Sequence, residues 1–144
     1  QRQMCIRDRM KSVFTEYAKK HSDTVKARGS VPVFFMSWAY KDKPDMTIPL
    51  ADAYTTAGNE NGVLVIPAGL AFAKSIALKP EVELYAPDKR HPSVAGTYLS
   101  AATTYATLFN QSPVGLKYSA GLSPEVALHL QQVANDTVKE YQKR

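Results

Sequence analysis

Two short, almost uninterrupted apolar runs, residues 31–38 (VPVFFMSW) and 63–66 (VLVI), constrain this 144-residue chain most strongly. A strand with one wet face alternates apolar and polar residues. A run without alternation is the pattern of a strand covered on both faces, as in a parallel sheet flanked by helices. Pro32 has no N–H to give to a sheet ladder, so it belongs at the start of the first strand. Between the runs, residues 46–60 place Leu50, Ala53, Tyr54 and Ala57 on one helical face and end near Gly62, the length of a crossover connection. Strand, helix and strand in this order predict an α/β fold.

The remaining segments agree with that class. Residues 10–28 carry apolar side chains at a helical period and stop before Gly29, and a short helix over 70–78 comes after the turn formed by Pro67, Ala68 and Gly69. Residues 81–85 read as a short strand or extended approach. After them, Pro92 suits the first turn of a helix whose buried stripe is Tyr98, Leu99, Ala102, Tyr105, Ala106 and Phe109, ending at residues 110–112. The last helix opens with Ser123 as N-cap, Pro124 at its first position and Glu125 in its first turn.

Residues 1–9 (QRQMCIRDR) share no periodicity with the helical stretch from Met10 onward and hold the only cysteine, Cys5. They resemble translated sequencing-adapter sequence of the kind fused to metagenomic fragments, so a non-native leader is expected over 1–9 and one domain over 10–144. Leaving the leader out lowers the net charge from +5 to +3. The basic residues are dispersed, with no aromatic-interleaved Lys/Arg stripe, which argues against a nucleic-acid partner. No apolar run reaches the roughly 18 residues of a membrane span. A body free of cysteine has no thiolate for a zinc site, and it leans toward an extracytoplasmic location. His21 and His129 stand on helices without partners at metal-ligand spacing and read as solvated or boundary residues, so neither a metal nor any other cofactor is expected.

The chemistry-bearing feature is Asp88-Lys89-Arg90-His91, followed by Pro92 and a helical run. An Asp three residues before a His in a turn can hold Nδ1–H of the ring, leaving Nε2 to take a proton from a nucleophile. The stretch from Tyr85 through Leu99 (YAPDKRHPSVAGTYL) resembles the last conserved block of the SGNH (GDSL-type) hydrolases, in which Asp-x-x-His-Pro precedes the terminal helix. The two strand ends, FMSWA at 35–39 and PAGLAF at 67–72, are similar in order and spacing to the same family. The resemblance implies a flavodoxin-like three-layer α/β/α fold and hydrolysis of acyl esters, such as acetyl groups on carbohydrates or lipids. It gives His91 the role of base and Asp88 that of its orienting carboxylate.

The chain departs from that family in lacking three of its five catalytic parts. There is no Gly-Asp-Ser block and no Gly-x-Asn-Asp block ahead of the first strand, so the serine and the oxyanion glycine and asparagine are expected upstream, in an N-terminally truncated domain. Ser37 closes a strand without an elbow glycine, Ser93 falls in the first turn after His91, and the Gly58-Asn59-Glu60-Asn61 sequence ends a helix; none suits the missing roles. Trp38, Pro67 and Gly69, at the carboxyl ends of the two strands, are candidates for contact with a small-molecule or carbohydrate ester, with core packing the competing role for Trp38. Tyr98 and Tyr105 read as core. The rival reading is a non-catalytic α/β binding or interaction module in which residues 88–91 merely cap the following helix.

Overall fold

A computed structural model describes the backbone of residues 2–143 and the side chains of residues 11–143. The chain is mixed α/β and mostly helical. In order it runs α1 (Arg2–Lys26), β1 (Val33–Phe35), a 3-10 turn (Pro44–Met46), α2 (Thr47–Asn61), β2 (Leu64–Ile66), α3 (Ala68–Leu78), α4 (Val94–Phe109) and α5 (Pro124–Tyr141). The side chains of the expected leader, residues 1–9, lie outside the described residues.

Both apolar runs form strands, and β1 and β2 pair in parallel as a two-stranded sheet. Among the described residues the sheet has these two strands. The runs were also expected to be covered on both faces, and β1 is not: Val33 is 37% and Phe35 40% exposed, and Leu64 of β2 is 45% exposed. Pro32 has no N–H, and the strand narrows to the three residues after it. Residues 81–85 form no strand; Tyr85 makes one isolated antiparallel bridge to Pro92.

The chain divides into two compact units. One comprises the residues up to Phe34 together with Asp52–Val65. In it the rings of Phe14 and Tyr54 meet edge to face with centroids 5.0 Å apart, and the Lys26 ammonium donates to the Asn61 carbonyl. Ser22, buried within α1, donates its hydroxyl to the Ala18 carbonyl one turn back, at 2.7 Å, so it enters an apolar surrounding with its polar group satisfied.

The second unit comprises Phe35–Ala51 and the residues from Ile66 onward. Its core gathers Phe72 of α3, Val82, Leu84 and Tyr85 of the extended segment, Leu99 of α4 and Leu130 of α5. Phe72, Leu84, Leu99 and Leu130 are essentially inaccessible, and burial of each such side chain contributes about 1.5–3 kcal/mol. Gly96 makes the packing possible: a Cβ there would lie 2.2 Å from the Leu84 carbonyl oxygen, so only glycine lets α4 approach the extended segment this closely. Gln131 ties α5 to the loop after α4, donating to the Tyr98 hydroxyl and the Leu116 carbonyl and accepting from the Gly115 N–H.

The helix ends obey local chemistry. Ser123 caps α5 with its hydroxyl on the Val126 N–H, as the sequence predicts. At α4 the cap is Ser93, whose hydroxyl accepts from the Gly96 N–H, so Pro92 and Ser93 both precede the helix instead of lying in its first turn. Asn110 closes α4 in the left-handed conformation that asparagine tolerates.

His129 is the buried histidine of α5, and it is not the solvated or boundary histidine the sequence suggests. It is buried on α5, with Nε2 3.1 Å from the fully buried Ser75 hydroxyl of α3. Burial, aided by the charge of Lys79 and opposed by Glu81, lowers its pKa below the ordinary histidine value. The unfolded chain therefore takes up this proton at higher pH than the folded one, and stability falls as pH drops below the ordinary value toward the lowered one. His129→Gln, which keeps a polar group for Ser75 but cannot titrate, is expected to reduce the loss of Tm between pH 7 and pH 5, measured by circular dichroism.

Candidate active site

The site is built on the loop between Tyr85 and Pro92. Besides the Tyr85 and Pro92 bridge, the Ala86 N–H donates to the His91 carbonyl at 2.9 Å and the Lys89 N–H donates to the Ala86 carbonyl at 3.0 Å, closing a tight turn. Lys89 completes it with φ of 63°, a left-handed conformation uncommon for a side chain of this kind. The Ser93 N–H donates to the Leu84 carbonyl and its hydroxyl to the Glu83 carbonyl, which fixes the exit of the loop against its entrance.

Asp88 organises this turn. Its Oδ1 accepts from the backbone N–H groups of Arg90 and His91, both at 3.0 Å, and its Oδ2 binds Nδ1 of the His91 ring. The bond to His91, followed by the two backbone donors, holds the Asp88 carboxyl well below the usual carboxylate range. An ionised Asp88 only accepts, so Nδ1 carries the hydrogen, and in the neutral form of the ring the lone pair is on Nε2. The His91 side chain is 80% exposed. The sequence-predicted pair is thus brought together, with Asp88 holding Nδ1 of an exposed imidazole.

Trp38 supports the loop from beneath. Its indole N–H donates to the Arg90 carbonyl at 2.9 Å, and its ring stacks on Phe72 with centroids 4.3 Å apart and planes 7° from parallel. The Lys41 N–H grips the neighbouring Lys89 carbonyl at 3.0 Å, and the Arg90 guanidinium lies over the Tyr40 ring, 5.0 Å from its centroid. Trp38 is therefore a positioning residue, packed against the core and holding the loop by its polar edge. Its indole N–H is already committed to Arg90.

The other two candidates separate. Pro67 is fully buried at the N-terminus of α3. Gly69 is also buried, yet it lines a cleft of about 570 Å³ together with Tyr40, Phe72, Ile76, Leu84 and Tyr85. Its N–H donates to the Met36 carbonyl at 3.0 Å, and a Cβ would fall 2.2 Å from the Ser37 carbonyl oxygen. The sequence reading missed this cleft and its rim, where Lys41 pairs with Glu83. That pair, followed by the Tyr85 N–H, lowers the Glu83 pKa, while Tyr85 is raised by burial and sends its hydroxyl to the Ala39 carbonyl. Gly69, a sequence candidate that lines the cleft, was its trace in the sequence. Among the described residues no cluster of three or more His, Cys, Asp or Glu is placed to hold a metal ion, and no helix is long and apolar enough to cross a membrane.

The fold has a solved counterpart. The chain is similar in structure to a DUF4886 family protein from Bacteroides uniformis. The TM-score is 0.70 at 21% identity, over 80% of this chain and 50% of the other, so the chain spans about half the length of the protein it matches. Neither a family model nor a curated protein matches the sequence. The expected membership of the SGNH hydrolases is accordingly corrected: the structural likeness is to a protein of another family designation, and the Asp-x-x-His-Pro block lacks the serine and oxyanion blocks that would specify that family.

Two outcomes test the geometry. The Asp88 carboxyl carbon is expected to titrate well below the ordinary aspartate range by NMR, and His91→Ala should raise it only part of the way, because the two backbone donors remain. Gly69→Ala should lower stability by about 1–3 kcal/mol through the clash with the Ser37 carbonyl, read as a shift of the urea midpoint.

Proposed function

We propose that Asp88 and His91 are the base half of a Ser-His-Asp centre that hydrolyses acyl esters, acetyl groups on carbohydrates or lipids among them, with the serine and the oxyanion donors supplied by residues outside this chain. The observation that carries the reading is the division of labour on Asp88. One oxygen is locked by two backbone N–H groups and the other holds Nδ1, so the ring is oriented by a fixed carboxylate while Nε2 stays open. In such a centre Nε2 takes the serine proton as Oγ attacks the acyl carbon, then returns it to the departing alcohol; Asp88 stabilises the imidazolium formed in between.

The length relation supports the missing half being elsewhere. A structurally similar protein is about twice as long as the region shared with this chain. In the same reading, β1 and β2 belong to a wider three-layer α/β/α sheet completed by those additional residues. The rival reading, in which residues 88–91 merely cap α4, has less support: Ser93 supplies that cap, and the Asp88 carboxylate is spent on its own turn and on His91.

The full reading frame that contains this sequence, expressed whole, should hydrolyse a short p-nitrophenyl ester. His91→Ala and Asp88→Asn should each lower kcat by about 10²–10⁴ while leaving the fold intact. Undiminished activity in His91→Ala, or a complete frame without a serine whose replacement abolishes turnover, refutes the proposal.

A further inference from the structure

We propose that the cleft beside the Asp88 loop is a binding site for a single-chain amphiphile with an anionic head, the chemical form of a medium-chain fatty acid. The apolar chain would occupy the cleft and Arg90 would hold the carboxylate. The proposal rests on the ester-hydrolase reading only in naming this molecule as the acyl half of a substrate or product; the binding itself needs no catalysis.

Three observations converge on it. The cleft, about 570 Å³, lies within the range of sites that enclose small organic ligands. Its walls are largely carbon, from Ala39, Phe72, Ala73, Ile76, Ala77 and Leu84, and the charges at its rim, Lys41 and Glu83, neutralise each other. An apolar chain therefore finds burial there without stranding a charge.

Arg90 supplies the head-group preference. Its guanidinium is steered by the face of Tyr40, a residue that also lines the cleft, and among the described residues it pairs with no carboxylate. Its backbone is held still by the Trp38 indole. A guanidinium with fixed position and open donors is suited to a carboxylate, which it can meet with two parallel hydrogen bonds.

The test is titration of the 144-residue chain with decanoate and, separately, with decanol, monitored by NMR. Saturable binding of decanoate that perturbs Tyr40, Phe72 and Leu84, about tenfold tighter than decanol, is expected; Arg90→Gln should abolish that tenfold preference while decanol binding stays the same. Ala73→Trp, which fills the cleft, should remove both ligands. Ile76→Glu, a change at a partly exposed position, does the same by placing a carboxylate in the wall and serves where the tryptophan variant fails to fold. Absence of saturable binding, or binding indifferent to the cleft variants, overturns the site; equal affinity for the two ligands overturns the role of Arg90. Esterase failure of the whole protein with decanoate binding intact would remove the catalytic reading and leave this one standing.

Discussion

The indole of Trp38 joins the two kinds of order in this molecule. One face rests on Phe72, at the centre of the apolar cluster made by α3, α4, α5 and the extended segment, and the N–H reaches out to the backbone of the Asp88 loop. An exposed loop of polar residues has little apolar surface of its own with which to offset the entropy of being fixed. Here the rigidity is borrowed from the core through a stacked ring and one hydrogen bond. Lys41 adds a second hold on the adjacent carbonyl, and the Tyr85 hydroxyl fastens the strand-end backbone from below.

That arrangement explains how a side chain as exposed as His91 can be oriented. Its ring contacts little, so packing does not set its rotamer; Asp88 sets it, and Asp88 is itself set by two backbone N–H groups. The order of dependence runs from Phe72 to Trp38, from Trp38 to the loop backbone, from the backbone to Asp88 and from Asp88 to the imidazole. Each step is short-range and directional, the property required of groups that hold an exposed side chain in one orientation.

Much of this was legible in the sequence where one residue's chemistry decides the matter locally. Ser123 and Pro124 mark the start of α5 because a hydroxyl and a missing N–H each suit one position there. Asp88 and His91 were paired by their spacing together with the flanking block, since three residues in a turn bring a carboxylate back to an imidazole. What depended on distant partners was not legible. The apolar run at 31–38 yielded only a three-residue strand with exposed Val33 and Phe35, because coverage is decided by neighbouring layers and not by the run. His129 looked like a helix-surface residue until Ser75, 54 positions earlier, was brought against it. Trp38 was a candidate for ligand contact from its place at a strand end, with core packing the competing role; its bond to Arg90, 52 positions on, was in neither reading. Sequence pattern also assigned a family that the structural likeness to a DUF4886 protein corrects, since a short motif carries less information than the blocks that should accompany it.

The way the loop is held has an evolutionary consequence. Consecutive carbonyls, Lys89 and Arg90, are claimed by different donors, Lys41 and Trp38, while the loop's ends are joined by the Tyr85 and Pro92 bridge. Side chains at Lys89 and Ala86 can drift without breaking any of these bonds, because only their backbones are used. Adding or deleting one residue between Tyr85 and Pro92 would instead shift every carbonyl past its donor. Descendants of this sequence should therefore vary in the letters of the loop and keep its length, so that in an alignment of relatives the absence of gaps, more than the identity of the residues, would mark where the loop lies.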